Sequence, residues 1–128
     1  MSRILVVDDH AVTREPLAKL LRYEGFETAG AANGAEALLA MYENPADLVI
    51  LDLMMPRMDG LDFLTALRSE KRFGETPVLL LTAVPESKRL EDAKALARTE
   101  VISKARFDLS HLLNQIRRAL TAKVPAAV

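Results

Sequence analysis

The sequence predicts an α/β domain: a five-stranded parallel sheet, doubly wound, with helices on both faces. Three observations carry this. Short apolar runs alternate with amphipathic stretches along all 128 residues. Most of those runs are continuous rather than polar-alternating, as strands covered on both faces require. Each is followed by a helical pattern able to serve as a crossover, and right-handed crossovers leave few topologies. Size agrees, because 128 residues, 50% hydrophobic and 27% charged, suit one domain with a full core and a solvated surface.

The elements follow in order. Arg3 to Val7 (RILVV) is the first strand and stops at Asp8-Asp9. Thr13 to Glu24 places Leu17, Leu20 and Leu21 at helical spacing, with Pro16 in the first turn and Gly25 as the stop. Phe26 to Ala31 makes a weakly patterned second strand. Asn33 then caps a helix, with Glu36 in the capping-box position, and Asn44-Pro45 ends it. Asp47 to Leu51 (DLVIL) is the third strand, closed by Asp52 and a proline-containing loop. Asp59 caps a helix over Gly60 to Lys71, with Leu61, Leu64 and Leu67 on one face and Phe63 beside them. Val78 to Leu81 is the fourth strand, ending at Thr82; a more polar helix covers Glu86 to Ala97, and Glu100 to Ile102 is a short fifth strand. Asp108 caps a last helix with the stripe Leu109, Leu112, Leu113, Ile116 and Leu120. Residues 1–121 form the domain, and 122–128 (AKVPAAV) read as a tail or linker stub.

Composition excludes several classes. A net charge of -1 without a basic block, 5% aromatics and no Trp argue against direct nucleic-acid binding. With no Cys there are no disulfides or thiolate metal sites, and His10 and His111 are the sole imidazoles. No apolar run approaches the roughly 18 residues of a membrane span. Met1-Ser2-Arg3 leads into a strand without a signal-peptide core, so a cytoplasmic location is expected.

In an open parallel sheet, ligands bind outside the carboxyl ends of the strands. Here those ends carry Asp8 and Asp9, then Asp52, then Thr82, with Lys104 just past the fifth strand. Taken singly, each has a plain structural reading as a cap, turn residue or solvated charge. Together they differ. Carboxylates ~5 Å apart at an effective dielectric of about 20 repel by roughly 3 kcal/mol per pair. A hard divalent cation offsets this, and Mg²⁺ suits an oxygen-only donor set. Metal, carboxylate, hydroxyl and lysine form a kit for phosphoryl transfer, with an aspartyl acyl phosphate as the natural intermediate.

The segments ILVVDD (Ile4 to Asp9), LDLMMPRMDG (Leu51 to Gly60), LLLTA (Leu79 to Ala83) and SK (Ser103-Lys104) resemble those of response-regulator receiver domains of two-component signalling. The resemblance covers residues 3 to about 121. It implies the flavodoxin-like fold with strand order 2-1-3-4-5, an order that alternation alone does not give and that the chemotaxis receiver exemplifies. It also implies that Asp52 accepts a phosphoryl group from a histidine kinase, a phosphotransfer protein or a small donor. Asp9, Asp52 and the backbone carbonyl of Met54 would bind Mg²⁺, and Asp8 would act through a coordinated water. Thr82 and Lys104 would each hold a phosphoryl oxygen.

The chain departs from the family's pattern on the output side. Val101 stands where an aromatic switch residue is usual, which puts coupling through the fourth helix, fifth strand and fifth helix in question. Lys104 precedes Ala105 rather than proline, so a trans bond is expected, since cis costs about 2.5–4 kcal/mol before a non-proline residue. Ala97-Arg98 replaces a Gly-Ala end of the fourth helix, so that helix should end differently or extend.

The leading reading is a phosphorylation-controlled switch, a regulatory domain rather than an enzyme turning over a metabolite. The runner-up is a phosphorylation-independent interaction module, which Val101 and Ala105 favour. An aspartate-nucleophile phosphatase would need a second Asp two residues after the first, where His10 follows Asp8. A flavin carrier conflicts with an acidic pair facing a cofactor phosphate. His10 and His111 read as surface residues. Met54 and Met55 read as loop packing, though the Met54 side chain and Val84 are placed to screen an aspartyl phosphate from water. Without an effector module in these residues, output is expected through noncovalent contact or a longer parent protein; a homodimer stays open.

Overall fold

The computed structural model describes residues 2–55, 58–83, 87–103 and 108–121. Five strands and five helices alternate: β1 (Arg3–Val7), α1 (Ala11–Tyr23), β2 (Glu27–Ala31), α2 (Gly34–Glu43), β3 (Leu48–Asp52), α3 (Gly60–Ser69), β4 (Val78–Thr82), α4 (Lys88–Lys94), β5 (Thr99–Ser103) and α5 (Leu109–Thr121). A 3₁₀ turn at Lys71–Phe73 follows α3. All neighbouring strands are parallel, in the order β2-β1-β3-β4-β5. The expected architecture is the one observed.

Strand alternation divides the core in two. Leu5, Val7, Val49, Leu51, Val78 and Leu80 face α2, α3 and α4, where Met41, Phe63, Leu64, Leu67 and Leu90 meet them. Their neighbours Ile4, Val6, Leu48, Ile50, Leu79 and Leu81 face α1 and α5, against Leu17, Leu21, Leu112 and Ile116. Every residue of β3 and β4 is buried, which is why those runs show no polar alternation.

Helix ends follow their local chemistry. Gly25 has φ +99°, its N–H donates to the Arg22 carbonyl, and Phe26 N–H donates to the Leu21 carbonyl, a paired closure that needs a left-handed residue. The Asn33 side chain accepts from Glu36 N–H at 2.9 Å, and the Glu36 carboxylate accepts from Ala32 N–H at 3.1 Å. Asp59 accepts from Asp62 N–H at 3.0 Å, and Asp108 from Ser110 N–H at 3.1 Å.

Several boundaries differ from expectation. α1 starts at Ala11, so Pro16 lies beyond the first turn with no N–H for the Val12 carbonyl. Leu20 is exposed, and Ala18 takes its place in the buried stripe beside Leu17 and Leu21. β2 starts at Glu27, because Phe26 is spent closing α1. α3 gives way after Ser69 to the 3₁₀ turn. α4 is shorter than its polar pattern suggests, capped by Ser87 and ended at Ala95; Glu86 lies outside the described residues. It does not extend. Arg98 instead takes the left-handed conformation itself, at φ +58°. The Arg68 guanidinium holds this segment, donating to the Ala97 carbonyl at 2.7 Å, Phe73 at 2.9 Å and Arg98 at 3.3 Å. The Lys104-Ala105 bond, expected trans, also lies outside the described residues.

Candidate functional site

Three polar residues are buried among the described residues, Asp8 at 5%, Asp52 at 7% and Thr82 at 3% exposure. They end β1, β3 and β4. Parallel register sets them side by side: Val7 pairs with Leu51, Asp52 with Leu81, and Thr82 with Ser103. Lys104, next along from Ser103, lies outside the described residues.

Asp8, Asp9, His10 and Asp52 each offer one ligand atom, all within 4.8 Å of one another. Backbone geometry holds them there. Asp8 N–H donates to the Ala31 carbonyl at 3.1 Å, continuing the ladder past β1, and its Oδ1 accepts from His10 N–H at 2.9 Å. The Arg14 guanidinium returns from α1 to donate to the Asp8 carbonyl at 2.6 Å, its stem lying against Gly30, where a Cβ would meet Arg14 Cδ at 3.2 Å. Asp52 Oδ1 accepts from Met54 N–H at 3.3 Å. Behind it, Gly60 lets α3 approach the strand end: a Cβ there would stand 2.5 Å from the Asp52 carbonyl oxygen. Gly34 packs against Met58 in the same way and donates its N–H to the Met58 carbonyl at 3.1 Å.

The donor set fits a cation. Asp9 Oδ1 is buried without a hydrogen-bond partner, and the group facing it is His10 Nδ1 at 3.2 Å, which also lies 3.4 Å from Asp8 Oδ1. Several carboxylates this close repel unless a positive charge joins them. His10, expected at the surface, is exposed, and its ring edge lies beside the acidic pair. Met55 packs in the core as expected, whereas Met54 is half exposed beside Asp52 rather than packed. Val101 is partly buried against the cluster under α3 and α4. Val84 lies outside the described residues, and His111 is exposed on α5.

Comparison with known proteins decides the family. The family profile described as "Response regulator receiver domain" matches residues 4–117. This chain belongs to that family. The DNA-binding response regulator MtrA of Mycolicibacterium paratuberculosis is 48% identical over 81 residues, 63% of this chain and 35% of MtrA. The regulatory protein AtoC of Escherichia coli is 37% identical over 120 residues, 94% of this chain and 25% of AtoC. This receiver thus spans about a third or less of those relatives. Among solved structures, the chemotaxis protein CheY4 of Vibrio cholerae superposes with a TM-score of 0.85 at 32% identity, covering 94% of this chain and 99% of that one. The response regulator TrrA of Thermotoga maritima, in complex with Mg²⁺-BeF, gives 0.79 at 36% identity, covering 94% and 100%. Among the described residues, no helix is long and apolar enough to cross a membrane.

Proposed function

We propose that this receiver is a phosphorylation-controlled switch that accepts a phosphoryl group on Asp52. The observation that carries the reading is the buried Asp52 carboxylate sharing one strand-end pocket with Asp8 and Asp9, beside Thr82. An Asp52 carboxylate oxygen forms the new bond to phosphorus. The bond from phosphorus to a donor histidine nitrogen, or to the acyl oxygen of acetyl phosphate, breaks, and its electron pair leaves with the donor. A carboxylate needs no base to act at neutral pH.

Asp9, Asp52 and the Met54 carbonyl would hold Mg²⁺, with Asp8 acting through a water. The ion would neutralise charge on the transferred group. Thr82 would donate its hydroxyl to one phosphoryl oxygen, and Lys104 would pair with another. A histidine kinase or phosphotransfer protein would be the protein donor, with a small phosphodonor also able to serve, in a cytoplasmic setting. Output would pass through α4, β5 and α5, to a separate protein or to a longer polypeptide. DNA binding is stated of MtrA; it leaves the expectation of no nucleic-acid contact unsupported for any longer protein carrying this receiver.

Incubation with Mg²⁺ and acetyl phosphate should add one phosphate by intact mass, and Asp52→Asn should abolish it. An unmodified wild type would overturn the reading. A phosphorylation-independent interaction module is the second reading, favoured by Val101, whose aliphatic side chain packs on the core and carries no ring to reorient. A phosphoryl adduct that changes neither partner affinity nor oligomeric state would favour it.

A further inference from the structure

We infer that His10 is a further side-chain donor to the cation in this pocket, beside Asp9 and Asp52, and that it tunes the pocket toward borderline transition-metal ions such as Co²⁺ or Zn²⁺ relative to Mg²⁺. The inference rests on the reading that Asp8, Asp9 and Asp52 hold a divalent cation. His10 is the N-cap of α1, yet its side chain makes no capping hydrogen bond, so the imidazole is not committed to the helix. Its backbone N–H is tied to Asp8 Oδ1 at 2.9 Å, which turns the chain so that the ring returns over the carboxylates. Nδ1 then lies 3.2 Å from Asp9 Oδ1, the buried oxygen that accepts no hydrogen bond, and 3.4 Å from Asp8 Oδ1.

The four donor atoms lie within 4.8 Å of one another. Ligands about 2.1 Å from a shared ion stand at most about 4.2 Å apart, so a contraction of under an ångström gathers His10, Asp9 and Asp52, with Asp8 reached through a water. Donor chemistry then sets the preference. Carboxylate, carbonyl and water suit Mg²⁺, whereas an imidazole nitrogen adds affinity for Co²⁺, Ni²⁺ and Zn²⁺ and little for a hard ion. A histidine directly after the acidic pair would thus be a selectivity element.

The test titrates the full chain and His10→Ala separately with Co²⁺ and Mg²⁺ by calorimetry. It is run at about pH 8, where imidazole side chains are ordinarily neutral, and the visible Co²⁺ absorption is followed alongside. The ratio of Co²⁺ to Mg²⁺ affinity should fall by about tenfold or more in the variant, with a change in the cobalt band. An unchanged ratio would overturn the inference. So would tighter binding of both ions by the variant, since the ring would then obstruct the ion rather than ligate it. Failure of the wild type to bind either ion would instead remove the pocket reading beneath it. Because the His10 side chain is 65% exposed and caps nothing, the substitution leaves the fold's own contacts in place.

Discussion

Arg98 shows how a single residue carries a local cost. Its left-handed backbone, at φ +58°, costs a non-glycine residue about 1–2 kcal/mol. Glycine would relieve this at an unfolded-state entropy cost of about 0.5–1 kcal/mol. Arg98→Gly should therefore stabilise the domain by roughly 0.5–1 kcal/mol, read as a higher urea midpoint at unchanged slope. Gly60 is the opposite case: a Cβ would stand 2.5 Å from the Asp52 carbonyl oxygen and 2.7 Å from Leu53 Cα, both backbone atoms that cannot swing aside. Gly60→Ala should cost about 1–3 kcal/mol and slow Asp52 phosphorylation, which parallel denaturation and mass assays separate. At this scale much of the site was legible. Asp8, Asp9, Asp52 and Thr82 lie at strand ends, and strand ends are visible as the last residue of an apolar run. The position of the His10 ring was not, because the rotation of an exposed side chain beside an acidic pair leaves no mark in the sequence.

Among the elements, two cationic side chains tie helices together. Arg68 binds three carbonyls at the junction of α3, the 3₁₀ turn and β5, and burial lowers its pKa to about 10. It remains charged at neutral pH. Arg68→Met should cost about 1–2 kcal/mol and loosen the segment around Arg98, read as faster amide exchange there. Arg89 on α4 contacts Asp59 at 2.7 Å and Asp62 at 3.4 Å, joining α4 to the first turn of α3. Burial pushes the Asp59 pKa up, but the Arg89 hydrogen bond, the Asp62 amide and attraction to Arg89 outweigh it and hold it below 3.8. A depressed carboxyl pKa stabilises the fold above the ordinary Asp range, and the stabilisation is lost as pH falls below 3.8 through the folded value. In Arg89→Gln the Asp59 carboxyl titration, followed by NMR, should move upward, while neutral-pH stability changes little because the Arg89 side chain is solvent-exposed. Element identity was readable because periodicity and caps agree in α2 and α3. The ends of α1 and α4 were not. Their true limits depend on tertiary tethers, the closure at Phe26 and the Arg68 staple, which leave no mark in local sequence.

Across the whole molecule, stability is uneven in a way the sheet dictates. β3 and β4 are buried throughout and β1 nearly so, whereas β5 keeps one buried residue and β2 only Ala31. Amide exchange should therefore be slowest in β1, β3 and β4 and fastest along the outer strands; uniform rates would contradict this. Both strands bearing the acidic residues, β1 and β3, are interior to the sheet, while the surface proposed to carry output is built on the edge strand β5. The proposed acceptor thus lies on a strand buried throughout, and the proposed response surface on one that keeps a single buried residue.

The half-exposed Met54 side chain, two residues past Asp52, has a practical use. The protein contains no tryptophan, and its tyrosines sit in the last turns of α1 and α2, away from the carboxyl ends of the strands, so ultraviolet emission is blind to events there. An indole at position 54 would project into water rather than into the core. Met54→Trp would turn the molecule into an optical sensor of ion capture and acyl phosphate lifetime in real time, with no label attached.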